Sequence, residues 1–215
     1  MSCKLVVYDF DGTLVDTAPV VVSLLNQFRY ELAKKPLTVD KIIPWLSFGG
    51  SELIGRALGI DNLQLSKEYL EKFRDEYKTL PGDISPLYNG VRSSLEELYN
   101  TDIQLAICTN KPRVLVERII KALELEKYFS TIVAGDDLLT KKPDPTPLIT
   151  CAERLGVPLG ETVFVGDSTV DQKTAAAANV KFFFFRSGYD DGVDQSTAIV
   201  FDNHLDIFKL VKHGK

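Results

Sequence analysis

The sequence predicts an α/β protein: a Rossmann-like, doubly wound parallel sheet with an all-helical cap inserted after the first strand. Three observations carry this. Short, almost continuously apolar runs recur along the chain with helical segments between them, the pattern of parallel strands covered on both faces. Between residues 17 and 87 the strand signal vanishes and only helical periodicity remains. The 215 residues, 45% hydrophobic and 26% charged, allow one generous domain with a modest insertion and an ample core.

Each element has its own reason. Lys4–Tyr8 (KLVVY) is a compact apolar run and predicts a buried strand. Asp9–Thr17 (DFDGTLVDT) follows as a loop with acidic and glycine punctuation. From Ala18 to about Lys34, Val21, Leu24, Leu25, Phe28 and Leu32 share one helix face, with Asp16 or Thr17 as N-cap and Pro19 in the first turn. Val39–Leu46 predicts a short helix interrupted at Pro44, and Ser51–Leu58 a helix that stops near Gly59. Leu65–Leu80 is helical, with Tyr69, Phe73 and Tyr77 repeating every four residues. Pro81, Gly82 and Pro86 mark the exit from this block. Strand and helix then alternate. Strands are predicted at Ile103–Cys108, Thr131–Ala134, Thr162–Val165 and Lys181–Phe185, and helices at Val114–Leu123, Pro147–Leu155 and Asp171–Ala178. The expected division is a core of residues 1–16 and 88–215 and a cap of residues 17–87.

Composition narrows the chemistry. The two His, His204 and His213, lie near the C-terminus, and the three Cys, Cys3, Cys108 and Cys151, are far apart. A Cys/His zinc site of ordinary spacing is excluded, and a Ser-His-Asp triad would need its base from the last dozen residues. Scattered, odd-numbered Cys fit a reducing compartment. A net charge of -5 gives no support for nucleic-acid binding. The apolar run in MSCKLVVYDF is too short for a signal peptide, and Val180–Phe185 is too short to span a bilayer. A cytoplasmic protein without nucleic-acid or membrane partners is expected; monomer and homodimer both stay open.

In an open parallel sheet, ligands bind at the carboxyl ends of the strands. Those ends hold, in order, Asp9 and Asp11, then Thr109, Asn110 and Lys111, then Asp136 and Asp137 with Lys141 and Lys142 beyond, then Gly166, Asp167 and Ser168 with Asp171 further on. Singly these are weak signals. D-x-D-G and G-D-S are turn chemistry, Thr109 and Asn110 fit helix caps, and Lys142 alone fits a surface lysine. Asp136 and Asp137 read as loop or cap residues. Their joint occurrence at successive strand ends points to a site. An oxygen-only cluster of Asp9, Asp11 and Asp167 selects a hard cation, Mg²⁺, whose remaining positions suit water and phosphate oxygens. The Thr109 hydroxyl and a lysine suit the other phosphate oxygens.

These motifs resemble those of the haloacid dehalogenase-like superfamily. DFDGTLVD at Asp9–Asp16, ICTNK at Ile107–Lys111, KKPDP at Lys141–Pro145 and VGDSTVD at Val165–Asp171 are similar to its four motifs, in order, and the helical insertion is similar to its C1 cap. The resemblance implies Asp9 as nucleophile and Asp11 as general acid and base, with the Asp11 backbone carbonyl a metal ligand. It implies Thr109, Asn110 and Lys142 as phosphate-binding residues, Asp9 and Asp167 as direct Mg²⁺ ligands, and Asp171 as an indirect support of the ion, behind its ligands or through water. An acid two residues after the nucleophile favours phosphate chemistry over dehalogenation. The sequence most resembles the phosphoglycolate phosphatase branch, so hydrolysis of a small phosphorylated metabolite is expected. A sugar phosphomutase is the alternative enzyme, although Asp16 to Leu25 lacks the His that such mutases usually carry. Another small-substrate phosphatase (nucleotide or pyrophosphate) and a regulatory binding protein on the same fold are further alternatives. In the cap, Pro44–Leu58 resembles the substrate loop of that branch, but Ser47-Phe48-Gly49 stands where Gly-Asn-Gly is usual. Arg56 is the candidate reader of a substrate carboxylate.

Overall fold

The computed structural model describes residues 3–47, 50–81 and 85–213. Six strands, β1 (Leu5–Tyr8), β2 (Gln104–Cys108), β3 (Thr131–Val133), β4 (Thr162–Gly166), β5 (Lys181–Phe185) and β6 (Ile199–Phe201), form one sheet in the order β3-β2-β1-β4-β5-β6. Every neighbouring pair is parallel. Because β1 pairs β2 on one side and β4 on the other, the winding reverses there. The carboxyl ends of β1 and β4 therefore border the crevice where such sheets bind ligands.

The strands are buried on both faces, and successive side chains enter different cores. Val6, Tyr8, Leu105, Ile107, Val163, Val165, Phe183 and Phe185 belong to one apolar cluster; Leu5, Val7, Ala106, Cys108, Phe164, Phe182 and Phe184 belong to the other. The first is covered by α5 (Val91–Tyr99), α6 (Arg113–Ala122) and α9 (Ile207–His213), and extends into the inserted helices. The second is covered by α7 (Thr146–Leu155) and α8 (Thr169–Ala177).

The insertion after β1 consists of α1 (Ala18–Glu31), α2 (Val39–Leu46), α3 (Gly50–Leu58) and α4 (Leu63–Thr79). The apolar stripe predicted for α1 is buried at Val21, Leu24, Leu25 and Phe28. The break expected at Pro44 is absent: α2 runs through it to Leu46. A proline there removes one N–H, and with the helix ending two residues on there is little ladder left to disrupt. Where the chain leaves and re-enters the core, the two segments are laced together. Val15 and Leu87 form an antiparallel bridge, Asp16 N–H donates to Pro86 O at 2.9 Å, and Tyr88 N–H donates to Leu14 O at 3.1 Å. Gly82, predicted at this exit, lies outside the described residues.

Three elements were not predicted from the sequence. In α5, Val91, Leu95 and Leu98 fall at helical spacing and are buried, a signal that was present. The three-residue strand β6 is too short to show a period, and α9 is a seven-residue terminal helix. They close the sheet edge around His204, which is buried against Tyr8, Phe185 and Phe201. The His204 Nε2–H donates to Thr13 O at 2.9 Å, the only role a carbonyl partner permits, while Nδ1 is buried without a partner. This histidine is therefore structural. Burial pushes its pKa down to about 4, against a smaller opposing effect of the Thr13 carbonyl.

A buried neutral imidazole makes stability depend on pH. Below the unfolded value of about 6.5 the unfolded chain takes up a proton that the folded ring refuses until pH falls to about 4, so stability is lost as pH falls through that window. Between pH 7 and pH 5 the wild type should lose about 2 kcal/mol more unfolding free energy than a His204→Phe variant. Urea unfolding at the two pH values checks this, and equal losses would contradict it.

Candidate active site

The site is built on the turn that follows β1. Asp9 and Asp11 flank Phe10, whose ring is buried in the core, so the strand alternation turns both carboxylates toward the sheet edge. The chain then reverses at Gly12, with φ of +83°. A Cβ at Gly12 would lie 2.2 Å from Asp167 Oδ2 and 2.5 Å from the Tyr189 ring. Only glycine lets this turn approach the end of β4.

Asp9, Asp167 and Asp171 form a buried cluster whose oxygens lie within 4.8 Å of one another. Lys142 is its internal counter-charge. Its Nζ donates to Asp171 Oδ1 at 2.6 Å and lies 2.8 Å from Asp9 Oδ1, the latter contact off the line of a hydrogen bond. Asp9 Oδ1 is therefore buried with no hydrogen-bond donor. Burial, and then the Asp171 charge, push the Asp9 carboxyl up to about 7 even though Lys142 pulls the other way. Asp167 is raised well above the usual carboxylate range by burial, then by Asp171 and Asp9. Burial opposes the Lys142 charge, but Asp171 and Asp9 outweigh it and hold the ammonium above its ordinary range.

The other contacts show which carboxylates have oxygens to offer. Asp171 is satisfied within the protein: Oδ2 accepts from the N–H groups of Asp167 and Ser168 and from the Ser168 hydroxyl, closing a capping box at the start of α8. Its second oxygen takes Lys142. Asp167 accepts from the Thr13 hydroxyl at 2.6 Å and the Tyr189 N–H at 2.7 Å, one donor per oxygen. Asp11 lies outside the cluster by its side chain. Its carboxylate accepts from the Thr17 hydroxyl at 2.8 Å and from Lys111 Nζ at 2.9 and 3.2 Å. Three buried carboxylates against one ammonium, all oxygen donors, fit a hard divalent cation.

The remaining predicted residues separate by position. Thr109 and Asn110 line the same cavity as Asp9, Asp11, Lys142 and Asp167. The Thr109 hydroxyl accepts the Lys111 N–H at 3.2 Å, which leaves its own O–H to donate. The Asn110 amide clamps the Lys142 main chain with two bonds of 3.0 Å, fixing the loop that delivers Nζ. Neither caps the following helix; that role falls to Asp136, whose carboxylate accepts the Arg113 N–H, while Asp137 pairs with the Arg113 guanidinium. Arg56 is paired with Glu52 and lies outside the residues that line the cavity. Phe48 and Gly49 of the divergent cap loop lie outside the described residues; Ser47 donates to Asp191 of the core at 2.7 Å.

Several residues escaped sequence reasoning. Tyr189, in the loop after β5, holds Asp167 by its backbone, donates its hydroxyl to Asp16 and accepts the Ala18 N–H. Nothing in its neighbourhood marks it in the sequence. Lys111 belongs to a recognised motif, but its role as partner of Asp11 depends on a loop path that the sequence does not show. Tyr77 and Arg74 carry helix periodicity and read only as core and surface.

The cavity over these residues, about 170 Å³, is roofed by the inserted helices through Val21, Leu53, Ile54, Leu70 and Phe73. Its apolar roof and polar floor suit a small molecule. Removing Lys142 should be costly, because two buried carboxylates lose their shared counter-charge. A Lys142→Met variant should lose about 3 kcal/mol of unfolding free energy at pH 7, and less at pH 5, where the Asp9 carboxyl holds its proton. Urea unfolding measures both; an unchanged midpoint at pH 7 would contradict the charge balance described.

Comparison with known proteins agrees with this geometry. The family of haloacid dehalogenase-like hydrolases matches residues 6–185. A phosphoglycolate phosphatase from Pseudomonas fluorescens Pf-5 is 35% identical over 211 residues, covering 93% of this chain and 76% of the relative. One from Psychrobacter arcticus is 34% identical over 202 residues, covering 90% and 88%. The crystal structure of a predicted phosphoglycolate phosphatase from Haemophilus somnus superposes with a TM-score of 0.86 at 27% identity, over 98% of each chain. With its fold, its inserted helical cap and its buried aspartate cluster, the chain belongs to the haloacid dehalogenase-like hydrolase family and carries the catalytic aspartate motif of that family's phosphatases.

Proposed function

We propose that the protein is a Mg²⁺-dependent phosphomonoester hydrolase acting through an aspartyl-phosphate on Asp9, with phosphoglycolate as the leading substrate. The observation that carries this reading is the arrangement of Asp9. It is buried, lacks a hydrogen-bond donor on Oδ1, touches Lys142 and opens on a small cavity shared with Asp11 and Thr109. The substrate assignment is supported by the names of the relatives.

In this reading an Asp9 oxygen attacks phosphorus, and the bond from phosphorus to the ester oxygen breaks. Asp11 gives its proton to the departing alcohol oxygen. Asp11 then takes a proton from water as that water attacks the aspartyl-phosphate, which releases phosphate and frees the Asp9 carboxylate. The Thr109 hydroxyl and Lys142 ammonium hold phosphoryl oxygens, and Asn110, beside them in the cavity lining, holds the loop bearing Lys142. Mg²⁺ would be held by Asp9, Asp167 and the Asp11 backbone carbonyl, with Asp171 acting through water. When bound it offsets the negative charge of carboxylate and phosphate. The helical cap excludes bulk water and selects the leaving group.

The two aspartates predict different signatures. Asp9→Asn should abolish phosphate release from every ester, a loss of about 10³-fold or more. Asp11→Asn should depress alkyl phosphates about 10²-fold or more, and an aryl phosphate with a good leaving group far less, because only the poor leaving group needs the proton. Phosphate-release assays on both ester types check this. Wild-type turnover by Asp9→Asn would overturn the mechanism, and transfer of phosphate between positions of a sugar would favour a mutase.

A further inference from the structure

Among the described residues, four cations line the cavity: Arg74, Lys111, Lys141 and Lys142. They are not equivalent. Lys142 lies against Asp9 and Asp171 and serves the phosphoryl group, and Lys141 is exposed. Lys111 is buried on the cap side of Asp11, where the alcohol half of a phosphoester bound at Asp9 must lie. Two of its contacts go to the Asp11 carboxylate, and its third neighbour is the Tyr77 hydroxyl at 3.4 Å, too long for a firm bond. It is an ammonium with donor capacity left over, facing a cavity.

Arg74 approaches from the other side. It sits on α4 one turn before Tyr77, so the two share a helix face. Tyr77 meets Lys111 through both its hydroxyl and its ring, whose centroid is 4.6 Å from Nζ. The recorded partner of Arg74, Glu71, has a side chain 67% exposed, so that pair is weak and readily exchanged. The same cavity also has apolar walls, including Leu53, Leu70, Phe73 and Leu115. In such surroundings an unpaired anion is strongly disfavoured, and one between two cations is strongly held.

Resting on the phosphatase reading above, we propose that Lys111 of the core and Arg74 of the cap are the specificity-determining residues of this site and together hold the carboxylate that phosphoglycolate carries on its leaving alcohol. Tyr77 is the positioning residue that keeps Lys111 at the seam. The site for the leaving-group anion thus lies on α4 and the loop after β2, and not at Arg56, which is off the cavity. Because the two cations come from opposite sides of the seam, the anion bridges cap and core as it binds.

The test compares kcat/KM for phosphoglycolate with that for 2-hydroxyethyl phosphate, an ester of similar size with a neutral leaving group. The wild type should favour phosphoglycolate. Arg74→Met and Lys111→Met should each lower the ratio by about tenfold or more, the usual effect of losing one charge-assisted contact. For Arg74→Met the loss should fall on the KM for phosphoglycolate rather than on kcat. Lys67→Met, which removes the same charge from an exposed part of the same helix, should keep the wild-type ratio. An unchanged ratio in both test variants would overturn the inference. So would a wild type indifferent to the carboxylate, with the phosphatase reading left standing. A wild type that releases phosphate from neither ester would overturn that reading and the inference with it.

Discussion

Lys142 is held between two buried carboxylates, 2.6 Å from Asp171 and 2.8 Å from Asp9, with Asp167 in the same cluster. Like charges buried this close repel strongly, and desolvation adds to the cost. The fold sustains the arrangement by fixing each member from several directions. Asp171 is locked by the capping box of α8, Asp167 by Thr13 and Tyr189, and Lys142 by the amide clamp of Asn110. One ammonium does not neutralise three carboxylates. The remainder attracts a cation, and the oxygen-only cluster fits a hard divalent one.

The architecture follows from placing that cluster at the reversal point of the sheet. β1 and β4 are neighbours with parallel registers, so Asp9 and Asp167 arrive side by side one step beyond the strands. The close approach depends on small residues. A Cβ at Gly12 or Gly188 would strike Asp167, and one at Gly166 would strike Asp171. The helical insertion leaves and returns through one laced pair of segments at Val15 and Leu87, which hangs the roof directly over the cluster. Its apolar underside faces the cluster, and seam contacts at Ser47, Tyr77 and Arg118 tie the cap to the core.

Much of this was legible in the sequence because it depends on local signals. Apolar runs marked five of the six strands, and a block without strands marked the cap. Four polar motifs at successive strand ends placed Asp9, Asp11, Thr109, Asn110, Lys142 and Asp167 around one cavity. What stayed hidden depends on paths through space. Tyr189 and Thr13 secure Asp167 from a loop and a turn whose positions only the fold reveals. Arg56 looked suited to reading a substrate because of its motif, yet its helix presents it beside Glu52, while Arg74, on an ordinary amphipathic face, lines the cavity. The side chain of Asp11 was expected near the others and is instead drawn to Lys111 and Thr17. Ion-pair partners far apart in sequence leave no periodic trace.

The central claim is that the aspartate cluster is incomplete without a divalent cation. Thermal unfolding with and without Mg²⁺, on the wild type and on Asp167→Asn, tests it most directly. At a hundredfold excess over the dissociation constant, binding should add about 2.7 kcal/mol to wild-type stability and raise its melting temperature by about 5 °C or more. Asp167→Asn should show little or none of that rise. A wild type insensitive to Mg²⁺, or an equal rise in both proteins, would contradict the account.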